Sequence, residues 1–581
     1  MTAPATLYSH LRSWVETDPQ RPALIDPMPA DARQEGTEFG HVRLSVTDLL
    51  ARTDEFAALL AENGIEADDC VAVWLPSWSD AYAWQFAASA LGAHVIGVNT
   101  RYNVAEVGHV LTKARPRALI MAHGFRSLDF LSTARKAVAE AAQESTDHVP
   151  FTPPRAFVWA VPGAKDAPTV EDYDLGAGAV LVPSGISTDA GPSTEPSGES
   201  EAQPSVAEQN PRFAEAAPED SRLSVAFTTS GSTGMPKLAA HREAAVISHS
   251  QQVAERADFA PGDVLVEPLP YSGVFGYSAG MGALFGRAAV LLHPVFDERE
   301  LVQAWSRFGG SHFVGADDML SRVRRACEET GTRLDSWRWA GVADFQGMSA
   351  DIAKWAAEEF GTRTVGVYGS SEVFALTSFW PNETPEELRY SGGGRLVDPR
   401  YEYRIADPVT DQPVPDGSEG EVQLRGPNVV DRYLGDRGEG AKNFTSDGWF
   451  QTGDLARAQG PEAFEYVCRM GDVIRLRGFL VDPAEIELHL ITHPEIDLVK
   501  VVGRSSEVGE PEVVAFVQPT PGATPEPEEI RQYCRQQLAS FKVPTEVRLV
   551  ETMPVTAGTN GSKIKTAVLR EWAAQPEAVG Q

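Results

Sequence analysis

One stretch of glycines, hydroxyl residues and a single lysine constrains this chain more than any other feature. It follows a strand-like alternation of apolar and small residues at 223–227 and reads Thr228-Thr229-Ser230-Gly231-Ser232-Thr233-Gly234-Met235-Pro236-Lys237. Its glycines permit positive φ, which lets backbone N–H groups turn towards a bound anion. Lys237 adds a charge worth roughly 4 kcal/mol against an oxyanion 4 Å away near a protein surface. The stretch therefore predicts a polyphosphate loop at the end of a strand.

Two other interpretations of this loop were weighed. The Walker P-loop needs a hydroxyl residue directly after its lysine, whereas Leu238 follows Lys237 here and the glycine spacing also differs. We therefore reject that motif. A solvent-exposed loop without function stays open, since runs of Ser, Thr and Gly are commonly surface loops.

Length and composition limit the classes of partner. The 581 residues allow two to four domains, and 42% hydrophobic with 23% charged residues is ordinary for a soluble protein. A net charge of -32 repels nucleic acid and anionic lipid, so we expect neither as a partner. A polyanionic substrate must consequently meet a local cluster of cations.

Targeting signals and cysteine spacing point to a reducing compartment. No run of 18 uncharged apolar residues exists, so we expect no stable membrane insertion. The N-terminus lacks the basic-then-apolar order of a signal peptide, which favours a cytoplasmic location. The four cysteines lie far apart, which predicts free buried thiols.

Helical and strand-like segments alternate along most of the chain, as in an α/β fold with parallel-rich sheets. The patterns predict helices at 243–256 and 350–360 and strands at 70–75, 95–98, 118–121, 289–292 and 365–367. From about residue 470 the pattern becomes a smaller α+β unit, with helices at 483–491 and 526–538 and strands at 498–502, 513–517 and 547–549. Residues of about 165–220, rich in Ser, Pro, Glu, Gly and Ala, predict a disordered acidic insertion.

Four later segments have chemistry that complements the first loop. They are Tyr368-Gly369-Ser370-Ser371-Glu372, Thr452-Gly453-Asp454, Arg469-Met470-Gly471-Asp472 and Gly561-Ser562-Lys563-Ile564-Lys565. With the first loop, and in this order, they resemble the adenylate-forming (AMP-binding) superfamily of acyl-CoA synthetases, adenylation domains and firefly-type luciferases. The resemblance implies a large N-terminal AMP-binding domain at 1–470 and a small mobile C-terminal AMP-binding domain at 471–581.

The resemblance implies an AMP-forming acid–thiol ligase that works in two halves, as in fatty acid metabolism. A carboxylate first attacks ATP, with Mg2+, to give an acyl-adenylate and pyrophosphate. The thiol of coenzyme A then displaces AMP. A carrier-protein phosphopantetheine as acceptor, a non-catalytic nucleotide-binding relative and a homodimer all stay open.

The resemblance also implies roles for individual residues in binding the nucleotide. Glu372 would hold Mg2+, and Ser371 would donate its hydroxyl to the α-phosphate. Tyr368, followed by Gly369, would stack on adenine, and Asp454 would accept hydrogen bonds from both ribose hydroxyls. Arg469 would approach the ribose or the phosphates. Taken alone, each would be an ordinary surface or packing residue.

The C-terminal segments carry the implied second half of the mechanism. Lys563 matches the catalytic lysine that neutralises charge at the α-phosphate, with Lys565 as its competitor. Gly471 stands at the hinge, where relatives usually carry aspartate or lysine, and a glycine would make rotation there easier. Gly478 and Phe479 match a segment that lines the thiol tunnel.

The acyl pocket is implied at Gly273, Phe275, Gly276 and Gly341. Many relatives carry histidine where Gly273 stands. No aspartate lies in residues 269–277 to bind an α-amine, so we expect a carboxylic acid without one. The glycines of this segment either leave room for a bulky acyl group or reflect tight helix packing: Gly273, Gly276, Gly280 and Gly282.

Two rival motifs are weaker. Residues 276–280 match the G-x-S-x-G elbow of serine hydrolases, but the residues before them make a poor strand because two prolines and a glycine interrupt them. His489 and His493 are four apart, yet Leu490 stands where a metalloprotease helix needs glutamate, so surface histidines are the better account.

Overall fold

The computed structural model describes residues 6–27, 41–143, 150–160, 167–182, 222–229, 236–345, 347–408, 410–415, 417–430, 432–436, 438, 440–470, 474–476, 479–481, 483–504, 512–538, 542–558 and 561–575. Residues 230–235, Gly471 and Gly478, each of which carries a sequence-based prediction, lie outside this part of the chain. For Lys563 and Phe479 the strand is described and the side chain is not.

Helices and strands alternate as the sequence predicts. The first half of the chain contains α1 Leu7–Thr17, β1 Pro22–Pro27, β2 His41–Ser45, α2 Val46–Glu62, β3 Cys70–Trp74, α3 Ser79–Leu91, β4 His94–Gly97, α4 Val104–Ala114, β5 Ala118–His123, α5 Phe130–Gln143, β6 Arg155–Ala160, α6 Val170–Tyr173, β7 Ala179–Val182, β8 Leu223–Thr228, β9 Leu238–Arg242, α7 Glu243–Arg256, β10 Val264–Glu267, α8 Val274–Phe285, β11 Ala289–Leu292 and α9 Glu298–Phe308.

The second half contains β12 His312–Ala316, α10 Asp317–Thr330, β13 Trp339–Ala343, α11 Ser349–Phe360, β14 Arg363–Ser370, β15 Phe374–Phe379, α12 Glu386–Arg389, β16 Gly393–Leu396, β17 Glu402–Ala406, β18 Glu419–Arg425, β19 Arg432–Tyr433, β20 Phe450–Ala458, β21 Ala463–Arg469, β22 Ile474–Leu476, β23 Phe479–Val481, α13 Pro483–Leu490, β24 Ile496–Arg504, β25 Glu512–Pro519, α14 Pro527–Gln537, β26 Glu546–Leu549, β27 Val555–Gly558, β28 Gly561–Ile564 and α15 Thr566–Ala574. A 3-10 turn spans Gly440–Asn443.

Two large sheets form the body of the molecule. One has the strand order β19-β9-β8-β4-β3-β5-β6-β7, and the other β17-β18-β20-β21-β16-β15-β14-β13-β12-β10-β11-β1-β2. Strands β3, β4, β5, β6 and β8 run parallel in the first sheet, as do β10 to β14 in the second. The predicted α/β class with parallel-rich sheets is confirmed.

Two buried helices, α3 and α8, fill the space beside the sheets. Both are apolar on nearly all sides, and such a helix must be covered completely. Helix α3 contacts β1 of the second sheet as well as β3, β4 and β8 of the first. The strand ends that carry the polar loops are thereby held in a fixed arrangement.

A smaller α+β unit follows β21. Strands β24, β25 and β26 form its sheet, and successive β25 side chains point to opposite faces. Val513, Ala515 and Val517 pack with α13 and α14, whereas Val514 and Phe516 pack with α15. Its cores begin at Ile474, and the main core ends at Phe464, so this packing supports the boundary near residue 470 that we propose.

The first part of the predicted disordered insertion forms secondary structure. Residues 167–182 contain α6 and β7, and β7 pairs in parallel with β6 through Val180 and Leu181. The apolar run Ala179–Val182 explains the error, because four such residues can complete a sheet edge despite an acidic surrounding sequence. Residues 183–221 lie outside the described part of the chain.

The cysteine prediction is confirmed: Cys70, Cys327, Cys468 and Cys534 are buried thiols that form no disulfide. Within the described residues, no helix combines the length and apolar character that a membrane span requires.

A buried carboxyl group links α3, α8 and β10. The Tyr82 hydroxyl donates to Glu267 Oε2 at 2.6 Å. Gly280 permits this contact, since a Cβ there would lie 1.9 Å from the Tyr82 hydroxyl. Burial raises the pKa of Glu267 to about 8, although the hydrogen bond from Tyr82 opposes the shift. The carboxyl group is therefore largely protonated at neutral pH.

We expect Glu267 to make stability fall as the pH rises. Its folded-state pKa lies above the ordinary value of 4.5, so its contribution is complete below that value and is lost as the pH passes 8. Within this window each pH unit should lower the free energy of unfolding by up to about 1.4 kcal/mol. Urea unfolding of Glu267→Gln from pH 5 to 9 should give a flatter curve than wild type.

Asp26 is the necessary control for this measurement. Burial raises its pKa to about 7, so it gives wild type a pH dependence of the same sign. Asp26→Asn should retain the Glu267 part of the slope. Identical slopes for wild type and Glu267→Gln would contradict the assignment.

Candidate active site

The first polar loop is closed at its base by the β8–β9 hairpin. The Thr229 N–H donates to the Lys237 carbonyl at 2.8 Å, and the Lys237 N–H donates to Thr229 Oγ1 at 3.1 Å. These two bonds hold the ends of the loop together. Lys237 is exposed at the start of β9, where a solute can reach its ammonium group.

The second polar loop, after β14, is bonded directly to the first. Ser371 Oγ donates to the Thr228 carbonyl at 3.1 Å. The imidazole Nε2 of His241, on β9, donates to the Ser371 carbonyl at 2.7 Å. Because β8 and β14 belong to different sheets, these bonds join the two sheets at the ends of their strands.

Buried aromatic and imidazole rings support the second loop from below. Phe374 and Leu376 have φ values of 64° and 62°, a strained region for side chains of this size. The Phe374 ring lies 4.1 Å from the His241 ring and 4.8 Å from the His249 ring. His249 Nε2 also donates to the Ala375 carbonyl at 2.8 Å. Burial lowers the pKa of both histidines to about 4, so both are neutral at pH 7.

Tyr368 and Arg469 both donate to the buried carboxylate of Asp454. The Tyr368 hydroxyl donates to Asp454 Oδ2 at 2.7 Å, and Arg469 Nη1 donates to Asp454 Oδ1 at 2.8 Å. Arg469 Nη1 also donates to the Thr452 carbonyl at 2.7 Å. Strand pairing sets this geometry, since Asp454 lies opposite Arg469 in the β20–β21 register.

Glu372 lies within electrostatic reach of two cations, Lys237 and Arg469. Burial raises the pKa of its carboxyl group, while the charges of Arg469 and Lys237 act in the opposite direction. The Val430 N–H donates to the Glu372 carbonyl at 2.7 Å, which holds the backbone at this point. The structure therefore brings Lys237, Glu372, Asp454 and Arg469 into one region, as the order of motifs predicts.

The structure adds residues that sequence reasoning missed. Lys237 Nζ lies 5.1 Å from the centre of the Tyr433 ring and 3.4 Å from Asn443 Oδ1. Glu421 Oε1 accepts from the Gly453 N–H at 2.8 Å, directly beside Asp454. In the sequence Tyr433 and Asn443 look like ordinary packing and turn residues, and no local pattern marks them. For Glu421 the sequence offers one signal, because Gly420-Glu421-Val422 resembles a later stretch of the adenylate-forming family.

Three of the four glycines near the predicted acyl pocket are in close packing contact with neighbouring residues. A Cβ on Gly276 would lie 2.6 Å from the Pro270 carbonyl oxygen, and one on Gly282 would lie 2.6 Å from Val253 Cγ1. Gly280 contacts the Tyr82 hydroxyl in the same way. Of the two alternatives that the sequence leaves open at these residues, the contacts match tight helix packing, since α8 is buried along nearly its whole length.

The other residues predicted for the pocket are placed as follows. Gly273 precedes α8 as its N-cap, and Phe275 is buried in the first turn. A Cβ on Gly341 would lie 2.8 Å from the Trp339 ring. Small size at 341 is therefore also a packing requirement.

The hydrolase motif is excluded by its position. Ser278 lies within α8 and is 1% exposed, whereas a nucleophile elbow places its serine in a sharp turn between a strand and a helix. The two histidines also have packing roles, since His489 stacks on Tyr533 at 4.7 Å and His493 contacts the same ring at 4.9 Å.

The C-terminal lysines differ in position. Lys563 lies in β28, opposite Thr556 of β27 in a short hairpin. Lys565 is exposed, and its N–H donates to the Pro554 carbonyl at 2.7 Å, just before α15 begins.

Comparison with known proteins identifies the constellation. The AMP-binding enzyme family matches residues 11–434, and the AMP-binding enzyme C-terminal domain matches residues 485–559. The chain belongs to the AMP-binding enzyme family. This confirms the resemblance to adenylate-forming enzymes of acyl-CoA synthetase type, and AMP-binding acyl-CoA ligases use ATP and coenzyme A.

Relatives cover the chain almost end to end. The 3-[(3aS,4S,7aS)-7a-methyl-1,5-dioxo-octahydro-1H-inden-4-yl]propanoyl:CoA ligase of Rhodococcus jostii (strain RHA1) is 28% identical over 545 residues, 92% of this chain and 94% of that protein. The mitochondrial medium-chain acyl-CoA ligase ACSF2 of Macaca fascicularis is 25% identical, covering 97% of this chain and 86% of its own.

Solved structures share the fold. ATP-bound MatB from Rhodopseudomonas palustris superposes with a TM-score of 0.76 at 22% identity, covering 98% of this AMP-binding enzyme and 99% of MatB. The anthranilate CoA ligase AuaEII, in complex with anthranoyl-AMP, gives 0.75 at 18% identity, covering 99% and 98% of the two chains.

We expect Tyr368→Phe to lower the free energy of unfolding by about 1.5–3 kcal/mol, because a hydrogen bond to a buried carboxylate is lost. Tyr390→Phe is the matched control: its half-buried hydroxyl accepts from Arg389 at 3.0 Å, and its loss should cost under about 1 kcal/mol. Denaturant unfolding measures both. Equal losses would show that the Asp454 contact adds nothing special.

Proposed function

We propose that this enzyme activates a carboxylic acid with Mg2+ and ATP and passes the acyl group to coenzyme A. The supporting observation is the convergence of Lys237, Glu372, Asp454 and Arg469 on one region, with Tyr368 beside them. A carboxylate oxygen attacks the α-phosphorus, and the bond to the departing pyrophosphate breaks. The coenzyme A sulfur then attacks the acyl carbon, AMP leaves with the bonding electrons, and the thiol proton passes to solvent.

Each residue has a proposed part in the first half-reaction. Thr229 and the loop that ends at Lys237 bind the phosphates, and Ser371 donates to the α-phosphate. Glu372 would supply the carboxylate oxygen that a hard cation prefers, so Mg2+ belongs beside it. The half-burial that raises its pKa also strengthens its attraction to that cation.

Tyr368, Asp454 and Arg469 form the proposed nucleoside site. Tyr368 donates to Asp454 Oδ2 and Arg469 to Oδ1, which fixes the carboxylate that we propose accepts from the ribose hydroxyls. The Arg469 side chain is 53% exposed, so it can turn towards a phosphate while Asp454 stays in place. Gly369 lets the end of β14 pack against the start of β15, since a Cβ there would lie 2.4 Å from the Phe374 carbonyl oxygen.

The proposed substrate is a fatty or other acyl acid without an α-amine. The segment around Gly273 and Phe275 borders the proposed pocket, and it contains no carboxylate to pair with an ammonium group. Glu267 just before it is held in its neutral form by burial. Named relatives act on a medium-chain acyl group and on a bicyclic propanoyl group, both of which are acids of this class.

In the second half-reaction, we propose that rotation of the C-terminal unit about Gly471 withdraws Lys563 and opens a thiol path past Gly478 and Phe479. Lys563 lies on β28 of the short β27–β28 hairpin, so we propose that it moves with the C-terminal unit. We also propose a cytoplasmic location for the enzyme.

The decisive test is exchange of labelled pyrophosphate into ATP with a panel of carboxylic acids. Exchange that depends on the acid, followed by thioester formation with coenzyme A, supports the proposal. Absence of exchange with every acid would favour a nucleotide-binding protein without this activity. Thioester formation on phosphopantetheinyl carrier protein alone would reassign the acceptor.

Lys563→Ala should slow adenylation about 100-fold or more, because one preorganised cation at the transition state is lost. Thiol attack on a preformed acyl-adenylate should change less than about threefold, since no charge builds up at the α-phosphorus in that step. Single-turnover rates of the two halves measure this. Lys565→Ala is the matched control and should leave both rates near wild type; the reverse pattern would show that Lys565 is the catalytic lysine.

Glu372→Gln should raise the Mg2+ concentration for half-maximal adenylation about tenfold or more, because a neutral amide is a poorer ligand for a hard cation. Glu402→Gln removes the same charge at an exposed site, 57% of whose side chain is accessible, and should leave the Mg2+ dependence unchanged. An unchanged Mg2+ requirement in Glu372→Gln would move the metal to another ligand.

A further inference from the structure

Lys237 is held by two uncharged side chains. Its ammonium nitrogen lies 5.1 Å from the centre of the Tyr433 ring and 3.4 Å from Asn443 Oδ1. Among the described residues no carboxylate forms an ion pair with it. The Lys237 ammonium group is thus held by neighbours that carry no opposite charge.

Tyr433 and Asn443 are bonded to each other and to the strand that carries the lysine. Asn443 Nδ2 donates to the Tyr433 hydroxyl at 2.9 Å. Tyr433 pairs with Ala239 across β19 and β9, and the Leu434 N–H donates to the Leu238 carbonyl at 2.9 Å. The Tyr433 ring and Lys237 are therefore carried by paired strands, and the Asn443 amide is bonded to the Tyr433 hydroxyl.

Tyr433 also neighbours the carboxylate proposed to hold the metal. Burial raises the pKa of its hydroxyl, and the negative charge of Glu372 adds to that shift. The same aromatic side chain thus contacts Lys237 and lies within electrostatic reach of Glu372. A direct ion pair between those two would neutralise the phosphate-binding cation and the metal-binding carboxylate together. No such pair exists between these two described residues.

We propose that Tyr433 and Asn443 are positioning residues of the nucleotide site, which hold the Lys237 ammonium group towards the ATP phosphates without neutralising it. This rests on the proposed function, in which Lys237 meets those phosphates. A ring face and a neutral amide attract an ammonium group more weakly than a carboxylate does, so phosphate can take their place. Order is gained before the nucleotide arrives, and no competing anion has to be removed.

A double-mutant cycle on nucleotide binding tests this proposal. We would measure the dissociation constant of MgATP by calorimetry, without any carboxylic acid, for Tyr433→Leu in the wild-type and Lys237→Ala backgrounds. Tyr433→Leu should weaken binding about tenfold when Lys237 is present and less than about twofold when it is absent, because the ring acts through the lysine. Equal weakening in both backgrounds would overturn the proposal.

Milder variants keep the test informative if Tyr433→Leu fails to fold. Tyr433→Phe keeps the ring and loses the contact with Asn443, and Asn443→Ala removes the amide. Each should weaken MgATP binding about threefold with Lys237 present and not without it. Thermal unfolding confirms that each variant is folded. If MgATP binding is not weakened in either variant, the positioning roles of Tyr433 and Asn443 are overturned.

Asn443→Asp tests whether neutrality matters. It places a carboxylate of the same shape against Lys237, and MgATP binding should weaken about tenfold or more, beyond Asn443→Ala. Lys442→Ala is the matched control, since it makes the same change in net charge at an exposed position of the same 3-10 turn. Equal effects of Asn443→Asp and Lys442→Ala would reduce the result to general electrostatics and overturn the proposal.

The steady-state readout separates this proposal from the proposed function. The KM for ATP should rise in the Tyr433 and Asn443 variants, while the KM for the acid stays within about twofold. If the wild-type enzyme binds MgATP but shows no acid-dependent exchange, the proposed reaction is refuted, and the binding data alone decide the roles of Tyr433 and Asn443. If the wild-type enzyme exchanges normally and the variants are unaffected, only the positioning roles of Tyr433 and Asn443 are refuted.

Discussion

The active site depends on a hydrogen bond between two loops from different sheets. Ser371 Oγ reaches the Thr228 carbonyl, and His241 holds the Ser371 backbone from β9. Without this connection the first polar loop, which ends at Lys237, and the second, which carries Glu372, would lie at the ends of separate sheets. Their charges would then not face one region. The apolar helices α3 and α8 make the connection reliable, because burial on all sides leaves them little freedom to shift.

The electrostatics of the site run against those of the whole molecule. A net charge of -32 repels ATP, coenzyme A and an acid alike, so binding must come from a few placed cations. Arg469 is fixed by Asp454, and Lys237 by the Tyr433 ring and Asn443. The two cations are oriented differently: the arginine pairs with a carboxylate, whereas the lysine contacts groups without charge.

Particular residues show where sequence reasoning succeeds and where it fails. The helix predicted at 243–256 matches α7, because its apolar spacing is a local property of the chain. The glycines of α8 left two alternatives open, since a missing side chain is equally consistent with open space and with a neighbour that fills it. The insertion boundary failed for a related reason: Ala179–Val182 becomes a strand only because β6 offers an edge. Tyr433 and Asn443 were missed because their significance lies in a contact with a residue about 200 positions earlier.

The sequence by itself determined the family, the α/β class and the identity of most polar groups at the site, because ordered motifs and local periodicity are properties of the chain alone. Only the tertiary structure decided which of those groups touch. It showed that Asp454 is shared by Tyr368 and Arg469, and that Ser371 joins two sheets. It also showed that Lys237 rests on uncharged partners. These contacts depend on the packing of distant strands, and packing distances are set by the whole core and not by any one segment.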